Sequence, residues 1–135
     1  MYNDHMSFAK LYIISLISFL LLDGFWIGFV ASSFYKKHLG FLLSPKVNYL
    51  PVAIFYLIYV FGIVYVVLEP NMGRSLVQVF ITGAIVGLMA YSAYDFTNQA
   101  TIKDWPIIIT IVDILWGAFA SGAVSVITMY IAQNF

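Results

Sequence analysis

Four long apolar runs, parted by short polar breaks, make up the chain. Leu11–Val30 is broken only by Asp23, Val47–Leu68 carries no charge, Leu76–Tyr94 runs into Asp95-Phe96-Thr97-Asn98-Gln99, and Pro106–Ala132 holds one charge, Asp113. A hydrocarbon core about 30 Å thick takes about 20 residues of helix, so each run is long enough to cross it. The pattern predicts an all-α integral membrane protein, a four-helix up-and-down transmembrane bundle with short loops. One transmembrane domain then covers 1–135, with spans at approximately 8–33, 47–68, 75–98 and 106–132. Pro51 falls near the start of the second span, Glu69-Pro70 ends it, and Pro106 suits a first helical turn. The first run is read as a span and not a cleaved leader, because it is long and its head carries Asp4.

Composition agrees with the pattern. Hydrophobic residues make up 63% and charged residues 9% of the chain, against about 25% charged in a soluble domain. The formal net charge is zero, so no basic patch points to nucleic acid. The sequence has no cysteine, which excludes disulfides, thiolate metal sites, iron–sulfur clusters and thiol catalysis. His5 and His38 fall outside the spans, no glycine-rich phosphate loop occurs, and no serine has a membrane-embedded histidine to activate it. No cofactor and no metal are therefore expected.

Orientation follows the basic residues near the span ends. Lys36, Lys37, Lys46 and Lys103 lie on the side of the first and third loops, with Lys10 and Arg74 opposite. This places the first and third loops in the cytoplasm and both termini outside. Tyr12, Tyr35, Tyr49, Trp105 and Tyr130 stand at span ends as interfacial anchors.

The candidate chemistry is acidic. An ionisable group in hydrocarbon costs about 2.5–3.5 kcal/mol on insertion scales, so it faces protein or a wet cavity. From helix rise, Asp23 lies about 15 Å and Asp113 about 12 Å from the first- and third-loop side, with Asp95 shallower. All three acids fall in one half of the membrane. On the third helix Gly87, Tyr91, Tyr94, Asp95 and Asn98 share a face, extended sideways by Ser92 and Gln99. Tyr56 and Tyr59 reach the same half from the second helix. The reading is a cytoplasm-facing acidic and aromatic pocket built from Asp23, Trp26, Tyr56, Tyr91, Asp95, Asn98, Asp113 and Trp116. Against it stands the simpler reading that these side chains glue helices together, or that Asp95 and Asp104 are wetted at the interface. The four apolar runs contain no lysine or arginine to neutralise three aspartates.

Two further patterns bear on packing. Asp23-Gly24-Phe25-Trp26 and Asp113-Ile114-Leu115-Trp116 repeat Asp-x-x-Trp on antiparallel helices, as an inverted repeat would; four residues are too few to establish one. Gly24/Gly28, Gly83/Gly87, Gly117/Ser121 and Ala118/Gly122 space small residues as close helix contacts require.

The stretch from Tyr94 to Pro106, with Asp113-Ile114-Leu115-Trp116-Gly117 and Leu22-Asp23-Gly24-Phe25-Trp26-Ile27-Gly28, resembles an uncharacterised family of small bacterial membrane proteins, domain of unknown function 2177. The resemblance covers essentially the whole chain. It implies a bacterial four-helix membrane protein, singles out the same aspartates, and brings no activity with it. Taken with the basic-residue count, the expectation is a multi-pass protein of the bacterial inner membrane with periplasmic termini.

Three function classes remain. The first is a binding protein or proton-coupled carrier for a cationic or amphiphilic small molecule, working as a homodimer, with Asp23 exchanging protons and Trp26 and Trp116 holding the substrate. The second is an intramembrane enzyme on a lipid or isoprenoid, with Asp95 and Asp113 as acid and base. The third is a structural or accessory subunit whose acids meet a partner's basic groups. Membrane lipids are partners in every case.

Overall fold

A computed structural model describes residues 7–135. The elements in order are α1 (Phe8–Phe25), α2 (Ser32–Leu39), α3 (Tyr49–Gly62), α4 (Leu76–Thr101) and α5 (Ile107–Asn134). Wider π-helical turns continue α1 over Trp26–Val30 and α3 over Ile63–Leu68. Four segments are long and apolar enough to cross a membrane: Phe8–Val30, Tyr49–Leu68, Leu76–Thr101 and Ile107–Asn134. No strand occurs among the described residues.

Local chemistry sets the helix ends. The Ser7 side chain accepts from Lys10 N–H at the start of α1, and Asn48 accepts from Leu50 N–H at the start of α3. Ser75 and Gln78 form a reciprocal capping box on α4. Pro51 is tolerated because it sits in the first turn of α3, where its missing N–H would have no helical partner. Helix α4 runs well past the apolar stretch, carrying Asp95, Asn98 and Gln99 on helical backbone as far as Thr101. It ends where Ile102 becomes extended and Asp104 takes a positive φ of 62°, before Pro106 opens α5.

Helices α4 and α5 form the most extensive antiparallel contact, and α1 packs against the other side of α5. Glycine makes the α4–α5 approach. A Cβ on Gly83 would lie 2.6 Å from Ser125 Oγ, and one on Gly87 would strike the Gly117 carbonyl and Ser121. One on Gly117 would enter the Tyr91 ring. By contrast, a Cβ on Gly24 or Gly28 meets nothing within 4 Å, so that glycine pair makes no close contact within the chain. Sequence spacing alone could not distinguish the two ridges, because spacing does not say which face is covered.

The bundle is closed at one end and open at the other. At the closed end Leu11, Ile63, Val64, Val67, Leu68, Val79 and Met129 are fully buried. The π-helical turn presents Ile63, Val64, Val67 and Leu68 together to this core. Lys10 Nζ reaches the Ala132 carbonyl at 3.3 Å, using the free carbonyls that end α5. Inward from it, Ser15 donates to Thr128 at 3.1 Å, and Tyr59 and Ser121 hydroxyls lie 2.6 Å apart. Toward the opposite end the first residues of α3 have no buried face, while α2 contacts the π-helical turn that precedes it.

These contacts separate two kinds of glycine. Gly87→Val should destabilise the protein by about 1–3 kcal/mol through overpacking. Gly28→Ala should leave stability within about 0.5 kcal/mol. Thermal unfolding of the purified protein in detergent measures both; equal losses would contradict the α4–α5 approach described.

Candidate functional site

Asp23 and Trp26 are three residues apart on α1 and its continuation, as are Asp113 and Trp116 on α5, so each pair shares a helix face. The helices run antiparallel, and the two Asp-x-x-Trp segments meet head to tail. The indole rings of Trp26 and Trp116 stack with centroids 4.3 Å apart and planes inclined by 6°. Trp116 Nε1 donates to Asp23 Oδ1 at 2.9 Å. Trp26 Nε1 donates to the Tyr35 hydroxyl at 3.3 Å, and that hydroxyl donates to Asp113 Oδ1 at 2.7 Å. Each tryptophan thus serves the aspartate of the other motif, one directly and one through a phenol. Tyr56 adds a hydroxyl donor to Asp23 Oδ2.

Tyr35 arrives by way of the π-helical turn. Trp26–Val30 closes with Ala31 N–H on the Trp26 carbonyl at 2.7 Å, and the chain bends at Ala31 into α2. That bend returns the Tyr35 side chain to the bundle while Lys36 and Lys37 stay exposed. Burial, with the Asp113 charge adding to it, pushes the Tyr35 phenol above its ordinary value. Its O–H therefore persists as a donor.

These groups border a cavity of about 600 Å³ between α1, α2, α4 and α5 and the first connection. Asp23 and Asp113 supply its carboxylates, and Trp26, Tyr35, Tyr91, Tyr94, Trp105 and Trp116 its aromatic walls. Ser32, Lys36, Ser44 and Pro45 stand toward its rim, on the side of the first and third connections. Tyr94 and Trp105 meet edge to face at 6.3 Å, and Trp105 Nε1 donates to Thr110 at 3.1 Å. Grooves of about 590 Å³ along Ile14, Ile17 and Leu21 and about 800 Å³ along Ala9, Ile13 and Ile58 are apolar outer surfaces without a carboxylate.

The three acids stand in three environments. Asp23 is 6% exposed and has a donor on each oxygen. Asp113 is half-buried at the cavity wall and receives Tyr35. Asp95 is fully buried, and neither of its oxygens has a donor; Gln99 Oε1, one turn on, is buried and without one too. The wetted-interface reading of Asp95 is thereby excluded, while Asp104 is exposed as that reading supposed.

Of the residues read from sequence, Asp23, Trp26, Tyr91, Asp113 and Trp116 line the cavity, and Tyr56 reaches it by bonding Asp23. Asp95 is fully buried on α4 and does not line the cavity. Asn98 is half-buried one turn beyond Tyr94 and does not line the cavity. Tyr59 turns to Ser121 and Phe19. Tyr35, Lys36, Tyr94 and Trp105 were not among the proposed site residues. Tyr35 and Trp105 read only as interfacial anchors, since a helical period carries no sign of the π-helical turn and the bend at Ala31 that lead into α2. Tyr94 had been placed on the polar face and could have been included.

Removing one donor tests the cross-bonding. Trp116→Phe keeps a ring against Trp26 but leaves Asp23 Oδ1 without its partner. It should cost about 1–3 kcal/mol and abolish the coupled near-ultraviolet circular dichroism of the indole pair. Unchanged stability and dichroism would refute the arrangement.

No curated protein and no solved structure matches the chain. A family model described as "Predicted membrane protein (DUF2177)" matches residues 8–130, in agreement with four apolar helices long enough for a multi-pass membrane protein. The chain belongs to this family, domain of unknown function 2177.

Proposed function

We propose that the cavity binds a cationic, partly apolar small molecule and that the protein moves it across the membrane in exchange for protons. One observation carries this reading. Asp113 presents a carboxylate to an aromatic-walled cavity with a single side-chain donor on it, from Tyr35. A cation at this carboxylate gains charge attraction, and the faces of Tyr91, Tyr94 and Trp116 add cation–π contact.

The hydrogen bonding supports a division of labour among the acids. Asp23 would have to surrender both Tyr56 and Trp116 to exchange a proton or grip a ligand. It serves better as the anchor that fixes the indole stack, and Asp113 takes the ligand. With the lysine-bearing connections inside, the cavity opens to the cytoplasm of a bacterial cell and the termini lie outside. The chain encloses the cavity by itself, so a homodimer would serve transport by pairing two cavities.

Tetraphenylphosphonium is a suitable probe, being a cation clothed in aromatic surface. Wild-type protein in nanodiscs should bind it saturably, read by tryptophan fluorescence or calorimetry. Asp113→Asn should weaken binding at least about tenfold, equivalent to about 1.4 kcal/mol. Equal binding by the variant, or no saturable binding by the wild type, would remove the cation reading.

A second reading is favoured by the register that sets buried Asp95 of α4 against Asp113 of α5, since paired carboxyls in different surroundings make a general acid and base. On that reading a lipid or isoprenoid enters the cavity as substrate. Cells producing wild type and Asp95→Asn would then differ in lipid profile; identical profiles would discard the enzyme.

A further inference from the structure

The register of α4 on α5 has a chemical consequence one turn beyond the glycines. Gly83 faces Ser125, Gly87 faces Ser121, and Tyr91 lies on Gly117. Each four-residue step forward on α4 matches a four-residue step back on α5. The next step of the same register sets Asp95, fully buried, against Asp113.

Two carboxylates cannot share such a place without a proton or a cation between them. Neither Asp95 oxygen has a donor, and Asp95 is fully shut from solvent. Gln99 from α4 brings another unpartnered oxygen. The other groups around the pair are no remedy. On α4 these are the Tyr91 and Tyr94 phenols and on α5 the Thr110 hydroxyl, and none of them donates to either Asp95 oxygen. Tyr35 of α2 donates to Asp113 alone, and Asp23 of α1 is another acid. Lys36 stands at the cavity rim and is exposed.

We propose that Asp95 and Asp113 form a one-proton carboxyl–carboxylate site behind the cavity, and that a cation entering the cavity displaces this proton. The displacement rests on the cation-binding reading above; the one-proton site does not. Asp95 carries the proton and donates it to Asp113, which accepts from Tyr35 with its other side. Asp113 is the hinge of the exchange, since it belongs to both the cavity and the pair. When a cation meets it, the second positive charge takes the place of the proton. The Asp95 O–H bond breaks, its electron pair stays on Asp95, and the proton leaves to water. The net charge of the site is the same before and after. Exchange of one proton per cation makes cation binding tighten by about tenfold per pH unit while the site is protonated.

The experiment has two arms, both on the full chain in nanodiscs. Infrared spectra at neutral pH, with carbon-13-labelled aspartate to assign the band, should show the carbonyl stretch of a protonated aspartic acid. Asp95→Asn should remove the band, and Asp113→Asn, which leaves Asp95 without its acceptor, should shift it. The indole-pair dichroism reports whether each variant is folded. Titration with tetraphenylphosphonium in weak buffer should then release one proton per bound cation from wild type and none from Asp95→Asn. Absence of a protonated aspartate in the wild type overturns the site. A band that survives cation binding with no proton released overturns the displacement. A band of the expected behaviour with no cation binding upholds the one-proton site and overturns the cation reading instead.

Discussion

The stacked pair Trp26–Trp116, with the aspartates it serves, is the interaction on which the open end of this bundle depends. It joins the end of α1 to α5 at the cavity. Each indole N–H goes to a carboxylate of the other helix, directly at Asp23 and through Tyr35 at Asp113. A polar N–H in an apolar bundle demands an acceptor, and a carboxylate there demands donors. The two demands cancel against each other. The same bonds recruit α3 through Tyr56 and α2 through Tyr35, so four elements converge on one pair of rings.

The closed end and the open end follow from different residue sizes on the same helices. On α4 and α5, Gly83, Gly87, Gly117, Ser121, Gly122 and Ser125 let backbones approach, and dispersion contact holds them. Moving along α4, the small residues give way to Tyr91, Tyr94 and Asp95, and the partners on α5 to Asp113 and Trp116. Large side chains force space between helices, and polar ones decide what can fill it. A cavity on one side and a dry core on the other is the consequence of that gradient. The π-helical turns reinforce it, Ile63–Leu68 by thickening the dry core and Trp26–Val30 by bringing α2 over the cavity.

Much of this was legible in the sequence. The four long apolar helices followed from run length, and the gathering of Asp23 and Asp113 toward one end from helical rise. The Asp-x-x-Trp repeat was visible, yet four residues gave no reason to expect that the two copies bond to one another. That requires the register of α1 on α5, which no single helix encodes. Tyr35 was hidden for a related reason. Its role depends on a bend made by irregular backbone, and periodicity describes only regular backbone. The ridge Gly24/Gly28 misled because helical spacing marks a face without saying what lies against it. Asp95 was placed at the right position and given too wet an alternative, because α4 stays helical beyond its apolar run and α5 covers it.

The gradation among the three acids is the strongest argument that the site does more than hold helices together. Structural glue would be expected to leave its carboxylates alike, each satisfied by donors from neighbouring helices. Asp23 fits that description, with both oxygens bonded. Asp113 and Asp95 depart from it in order, the first facing a cavity with a single side-chain donor and the second buried with none. Leaving a buried carboxyl without donors is among the more expensive arrangements a membrane protein can maintain. Satisfying it would need only one hydroxyl on the facing turn of α5, where Asp113 stands instead. A second acid at that position makes sense if the pair is meant to gain and lose a positive charge, whether proton or bound cation. The expense then becomes the source of function: a site that is fully satisfied has no reason to bind anything.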